Sequence, residues 1–187
     1  MKKNIQNYLI LYLFVLFFFS VFFLHMKHGV GNDSTISDWL INYSGGFTKR
    51  GIIGQISIFF SRLFDLDLRF VIFIFQAVAV AIYFLLIYLF LKNVKCERLL
   101  LLALFTPIFL LYPVAEIEVL ARKEVFIFII LLAYTFIPSN LKNLYTLIFL
   151  TIGILIWEPL IFFIPFWFAI DIINNKIEKI DFKFFKK

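Results

Sequence analysis

Three separated stretches of the chain set carboxylates beside cations. The first holds Asp33, Asp38, Lys49 and Arg50, the second Glu116, Glu118, Arg122, Lys123 and Glu124, and the third Glu158. A positioned carboxylate can take a proton from a hydroxyl, and clustered cations can hold a phosphate or another anion. Glu158 stands between two apolar runs, in Trp157-Glu158-Pro159. A carboxylate near membrane depth needs a cation or a wet cavity. Arg50, Arg122 and Lys123 are the available partners, and a plain solvated turn is the alternative. Gly45, Gly46 and Gly51 flank Lys49 and Arg50, where they mark turns and allow backbone to approach a ligand.

The elements that must position these groups are membrane helices. Of the 187 residues, 63% are apolar and 16% are charged, against about 45–50% and about 25% in a soluble domain. That much apolar surface needs lipid as its solvent. The fold class is therefore all-α, a polytopic transmembrane bundle of about six spans in one membrane domain. A span takes about 20 residues. The runs fall at 5–25, 70–91, 99–115, 120–137, 141–157 and 159–173, with an outer loop at 26–69 and a tail at 174–187. Pro107 and Pro113 in the third run imply a kink, which membrane helices tolerate. The first run is too long for a signal peptide core and lacks a small-residue cleavage site, so it reads as a retained anchor. Fusing the last two runs across Glu158-Pro159 would leave five spans and one helix far longer than a bilayer requires, so a break there is expected.

Lysine and arginine set the orientation. With the N-terminus inside, eleven of the 18 Lys and Arg residues lie on the inner side, and most of the acids lie on the outer side. Both termini are then cytoplasmic, and all three charged stretches face outward together. Within the long outer loop, Ile52, Ile53, Ile56, Phe59, Phe60, Leu63 and Phe64 recur at helical spacing between Gln55, Ser57, Ser61 and Arg62. This predicts an amphipathic helix lying in the interface.

Several function classes lose support. Cys96 is the single cysteine, so the chain forms no internal disulfide. Gly51-Ile-Ile-Gly54 lacks the strand that a nucleotide-binding loop requires. His25, His28 and Asp33 make a weak metal set without a further fixed ligand, so no cofactor or metal site is assigned, and a divalent metal requirement stays open. The basic tail reads as topology and contact with anionic lipid, not as a nucleic-acid site. Gln76 is the one strongly polar residue inside a long span, and the charges cluster outside rather than at the mid-depth usual for transporters.

The stretch Asp38-Trp39-Leu-Ile-Asn42-Tyr43-Ser44-Gly45-Gly46-Phe47-Thr48-Lys49-Arg50-Gly51 resembles a first-loop signature of bacterial membrane proteins from surface-polysaccharide gene clusters, D-W-x-x-N-Y-S-G-G-F-x-R-R-G. Lys49 replaces the first arginine of that pattern. Arg122-Lys123-Glu124 resembles a later R-K-D/E element. Trp157-Glu158-Pro159-Leu-Ile-Phe-Phe-Ile-Pro165 resembles an H-E-x-x-F-F-x-x-P element, with Trp157 in place of the histidine. Such proteins look like GT-C-type glycosyltransferases or O-antigen polymerases, which generally have more than six spans. The chain then reads as a reduced relative or as a piece of a larger transmembrane protein.

The resemblance implies a protein of the bacterial cytoplasmic membrane that transfers sugar from a polyprenyl-phosphate donor to a glycan acceptor on the outer face. Asp38, or else Asp33, would be the general base. Lys49, Arg50, Arg122 and Lys123 would hold the lipid phosphate. Glu116, Glu118 and Glu158 would bind sugar hydroxyls or orient those cations. The competing readings are a helix cap for Asp38, a headgroup anchor for Lys49-Arg50, and a non-catalytic accessory or scaffold role in glycan assembly or transport for the whole chain.

Overall fold

The computed structural model describes residues 3–29, 34–93, 111, 114 and 116–169. The expected span at 99–115, apart from a few residues near its end, lies outside them, as do Asp33, Cys96 and the tail at 174–187. Among the described residues the chain is all-helical, without strands. The helices are α1 (Lys3–His28), α2 (Ser34–Trp39), α3 (Gly51–Phe64), α4 (Leu68–Asn93), α5 (Ile117–Ala121), α6 (Val125–Tyr134) and α7 (Lys142–Ile156). A 3-10 turn at Ser139–Leu141 precedes α7, and a 3-10 segment at Glu158–Phe163 follows it.

Among the described residues, three helical stretches are long and apolar enough to cross a membrane: Asn7–His28, Leu68–Lys92 and Ser139–Ile156. Two other expected spans are shorter. The stretch at 120–137 is broken by a turn at Arg122-Lys123-Glu124, which leaves α6 with ten residues, about 15 Å of helix. The last run starts as a 3-10 segment, and its described helical part is Glu158–Ala169. Between α7 and that segment Trp157 is extended, with φ −148° and ψ 98°. Leu160 folds back so closely on α7 that a Cβ added at Gly153 would lie 2.9 Å from it.

α1 packs along α4, α4 on α6, and α6 on α7. Leu9, Leu13, Val80, Tyr83, Ile87 and Val125 are buried in one core shared by α1, α4 and α6. Tyr134, Tyr145, Leu160 and Trp167 form a second core between α6, α7 and the last segment. The outward side of α1 exposes Tyr8, Leu11, Phe14, Phe18 and Phe22. Apolar side chains left outward on so long a helix suit lipid as their neighbour. In such bundles close packing rather than water exclusion joins the helices.

The small helices gather at one end of this bundle. α2 packs on α3, α4 and α5, and α5 touches α1. α3 presents two unlike faces. The face it turns to the protein is small, with Gly51, Gly54 and Ser57 buried, while Ile56, Phe59, Leu63 and Phe64 are exposed. Gly54 explains the choice, because an added Cβ would collide with the Ile41 carbonyl oxygen. The backbones meet only because that position has no side chain. α3 ends at Asp65, with φ 51°, and Asp67 accepts the Phe70 N–H at 3.2 Å to cap α4.

Candidate functional site

The site starts from Trp39, which is fully buried against Ile36, Ile72 and Phe126. Its indole N–H donates to the Ala121 carbonyl at 2.9 Å. The Gln76 amide donates to the same carbonyl at 2.8 Å. Gln76 Oε1 therefore points away and accepts from His28 Nε2 at 2.8 Å, which places a proton on that ring nitrogen. The polar residue inside α4 thus binds the end of α1 to the end of α5. This scaffold fixes α2, and with it Asp38, against the turn after α5.

Asp38 faces two cations. Its Oδ1 lies 3.6 Å from Arg50 Nη1, and its Oδ2 lies 3.8 Å from Lys123 Nζ. Both contacts are ion pairs longer than a hydrogen bond. Arg50 reaches on to Glu158, with Nη2 3.3 Å from Oε1. Lys49 Nζ stands 3.7 Å from Glu158 Oε2. Three cations and two carboxylates from four segments thus meet at one end of the bundle.

Arg50 is an unusual residue for its position. It is the N-cap of α3 and makes no side-chain cap hydrogen bond; its φ of 64° and ψ of 14° are left-handed. A side chain in that conformation carries strain, which tends to collect at functional sites. A cation at a helix N-terminus also opposes the helix dipole. The guanidinium is instead turned onto the two acids, and the Arg50 carbonyl accepts a hydrogen bond from Lys123 Nζ at 2.9 Å.

Lys123 is fully buried. Burial pushes its pKa below the ordinary lysine value; Asp38 opposes that shift and Arg50 adds to it. The neighbouring Glu124 moves the other way. Burial raises its carboxyl above the usual value, its own backbone N–H and Arg122 oppose the rise, and Asp38 adds to it.

Of the residues singled out in the sequence, Asp38, Lys49, Arg50, Lys123 and Glu158 come together. Three do not join them. Glu118 pairs with Lys27 at 2.6 Å. Arg122 is half-exposed and turns to Glu124 at 4.0 Å. Glu116 is exposed at the start of α5 and makes no side-chain cap bond. Sequence reasoning missed the parts played by Lys27 and His28. Gln76 carried a visible signal as a lone amide in a long apolar run, and Trp39 as part of the Asp38 motif. Among the described residues no three His, Cys, Asp or Glu side chains gather closely enough to hold a metal ion.

No protein-family model, curated protein or solved structure matches the chain.

What the cluster can do follows from its parts. Lys49 is open to solvent, Asp38, Arg50 and Glu158 are partly covered, and Lys123 is sealed beneath them. An anion arriving from solvent meets Lys49 and Arg50 first. Asp38 lies behind them with one oxygen toward each of its cations. Lys123 is a positioning group that sets Asp38 and the Arg50 backbone.

Proposed function

We propose that the chain is a multi-pass protein of the bacterial cytoplasmic membrane that acts in cell-surface polysaccharide biosynthesis. It transfers sugar from a polyprenyl-phosphate donor to a glycan acceptor at its charged end. The observation that carries this reading is the meeting of Asp38, Lys49, Arg50 and Glu158 above a buried Lys123. Arg50 and Lys49 hold the donor phosphate and stabilise the charge it gains on leaving. Asp38 takes the proton of the acceptor hydroxyl as its oxygen bonds the sugar carbon. Glu158 orients the cations and offers acceptor oxygens to sugar hydroxyls.

The topology that goes with it has six spans, both termini in the cytoplasm and the charged end outside. α3 then lies at the outer interface, with Phe59, Leu63 and Phe64 toward the acyl chains. Support comes from the lysine distribution and from the shared location of the three charged stretches.

The test is Asp38→Asn and Arg50→Ala in a strain lacking the gene, with surface glycan and protein level both measured. Loss of a general base typically costs about 10²–10⁴-fold in rate, so glycan falls to background while the protein persists. Normal glycan from both variants ends the catalytic reading. A second reading is an accessory subunit. It is favoured by the fact that both acids already face cations, as a brace would have them. Glycan that vanishes on gene deletion and returns with both variants selects this second reading.

A further inference from the structure

Phe47 is 85% exposed, more than any other large apolar side chain among the described residues. The next most exposed, Phe162, Tyr8, Leu147 and Phe18, lie on apolar helical segments, where lipid accounts for them. Phe47 lies on a polar loop at the charged end, between exposed Ser44, Gly45, Gly46, Thr48 and Lys49.

The loop is firmly built. Asn42 donates to the Leu40 carbonyl at 2.9 Å and accepts the Ser44 N–H at 2.8 Å. The Thr48 hydroxyl donates to the Asn42 carbonyl at 2.9 Å, and the Tyr43 N–H donates to Gln55 Oε1 at 3.3 Å. Gly46, with φ 116°, donates to the Tyr43 carbonyl at 3.1 Å. These bonds bring Phe47 onto Tyr43, ring on ring, 5.7 Å between centroids and 7° between planes. Tyr43 is backed in turn by Gly51, where an added Cβ would stand 2.5 Å from its Cε1. Phe47 thus lies parallel to Tyr43 in a slipped contact and keeps most of its ring in solvent.

We infer that the outer face of Phe47 is a stacking platform for the pyranose ring of a sugar, with Lys49 and Glu158 as its polar rim. An exposed aromatic face is well covered by a partner that is flat and apolar on one side. A pyranose presents such a side, a patch of C–H bonds, and carries hydroxyls around its edge. The polar neighbours of Phe47 match that edge and do not match a lipid acyl chain, which would call for further apolar residues at the loop tip. Lys49 donates and the Glu158 carboxylate accepts, as hydroxyls at a ring edge require. The assignment rests on the transfer reading for the presence of a sugar and adds the surface that receives it.

The test uses the full chain in nanodiscs and a panel of methyl pyranosides, read by saturation-transfer NMR, with Phe47→Trp, Phe47→Leu and Phe47→Ala. Leucine keeps apolar volume and removes the ring. Phe47 touches little of the bundle, so the variants fold. Wild type and Phe47→Trp are expected to transfer saturation to ring C–H protons of at least one glycoside, and Phe47→Leu and Phe47→Ala to lose about fivefold or more. No transfer to any glycoside with the wild type, or equal transfer with Phe47→Leu, overturns the platform. Glycan from the Asp38→Asn strain is scored separately. Its loss alongside normal Phe47→Leu binding defeats the platform and leaves the transfer reading standing. Normal glycan from both Asp38→Asn and Arg50→Ala, with Phe47-dependent binding, does the reverse.

Discussion

Lys123 donates a hydrogen bond to the carbonyl of Arg50 at 2.9 Å. That bond joins the charged turn before α6 to the strained residue that opens α3. It lets Arg50 keep a left-handed backbone while its guanidinium spans Asp38 and Glu158. A buried lysine without that carbonyl and Asp38 would be an unpaired charge.

Truncating Lys123 should therefore be costly. Lys123→Ala takes the donor from the Arg50 carbonyl and leaves Asp38 with Arg50 alone, and an unsatisfied buried acceptor costs about 1–3 kcal/mol. The expected outcome is a clear drop in thermal midpoint in detergent. Lys123→Arg should recover only part of it, since a guanidinium does not fit the sealed space.

The pH dependence follows from the same burial. Lys123 has its folded pKa below the unfolded 10.5. The unfolded chain then binds more protons between those two values, and this lysine's contribution to stability rises with pH through that window. Glu124 has its folded pKa above the unfolded 4.5. The folded chain binds more protons there, so its contribution falls as pH rises through its own window. Glu124→Gln should stabilise the protein at neutral pH and flatten the acid limb, and Lys123→Met should flatten the alkaline limb. Midpoints measured across pH for the three proteins check both signs.

Gly54 should resist any side chain. Gly54→Ala drives a methyl into the Ile41 carbonyl, and overpacking of this kind costs about 1–3 kcal/mol. Ser57→Ala on the same helix face loses only its bond to the Ile53 carbonyl and should cost about 1 kcal/mol or less. Comparing the two midpoints tests whether α3 docks by its small face.

Trp39 and Gln76 share one acceptor, the Ala121 carbonyl. Each single loss, Trp39→Phe or Gln76→Leu, leaves that carbonyl one donor and should cost about 1–2 kcal/mol. The double variant orphans it and should cost more than the sum. A double-mutant cycle in detergent measures the excess.

The helical class and the first two long helices were legible because runs of twenty or more apolar residues have few other solutions. The cluster was legible in part. Asp38, Lys49, Arg50 and Glu158 stood out as charges beside glycines or inside apolar runs. Arg50 was one of three partners named for Glu158, but which of them reaches it was not legible, because the two lie more than a hundred residues apart in the chain. The partner of Glu118 was missed for a similar reason. Lys27 closes an apolar helix, where a lysine reads as a headgroup anchor, and nothing local marks its bond to α5. The apolar stripe of α3 was legible from hydrophobic periodicity, but the face by which it packs on the protein was not. Here Gly51, Gly54 and Ser57 allow closer contact, so the small side turns inward.

The central claim is that Lys49, Arg50, Asp38 and Glu158 share one aqueous end of a membrane bundle. Single cysteines at Lys49, Glu158 and Ser139, each in a Cys96→Ala background, can be labelled in intact cells with a membrane-impermeant maleimide. Lys49→Cys and Glu158→Cys should react from the same face, and Ser139→Cys, at the far end of the helix that leads to Glu158, only after that face is breached. Labelling of Lys49→Cys and Glu158→Cys from opposite faces would contradict the account.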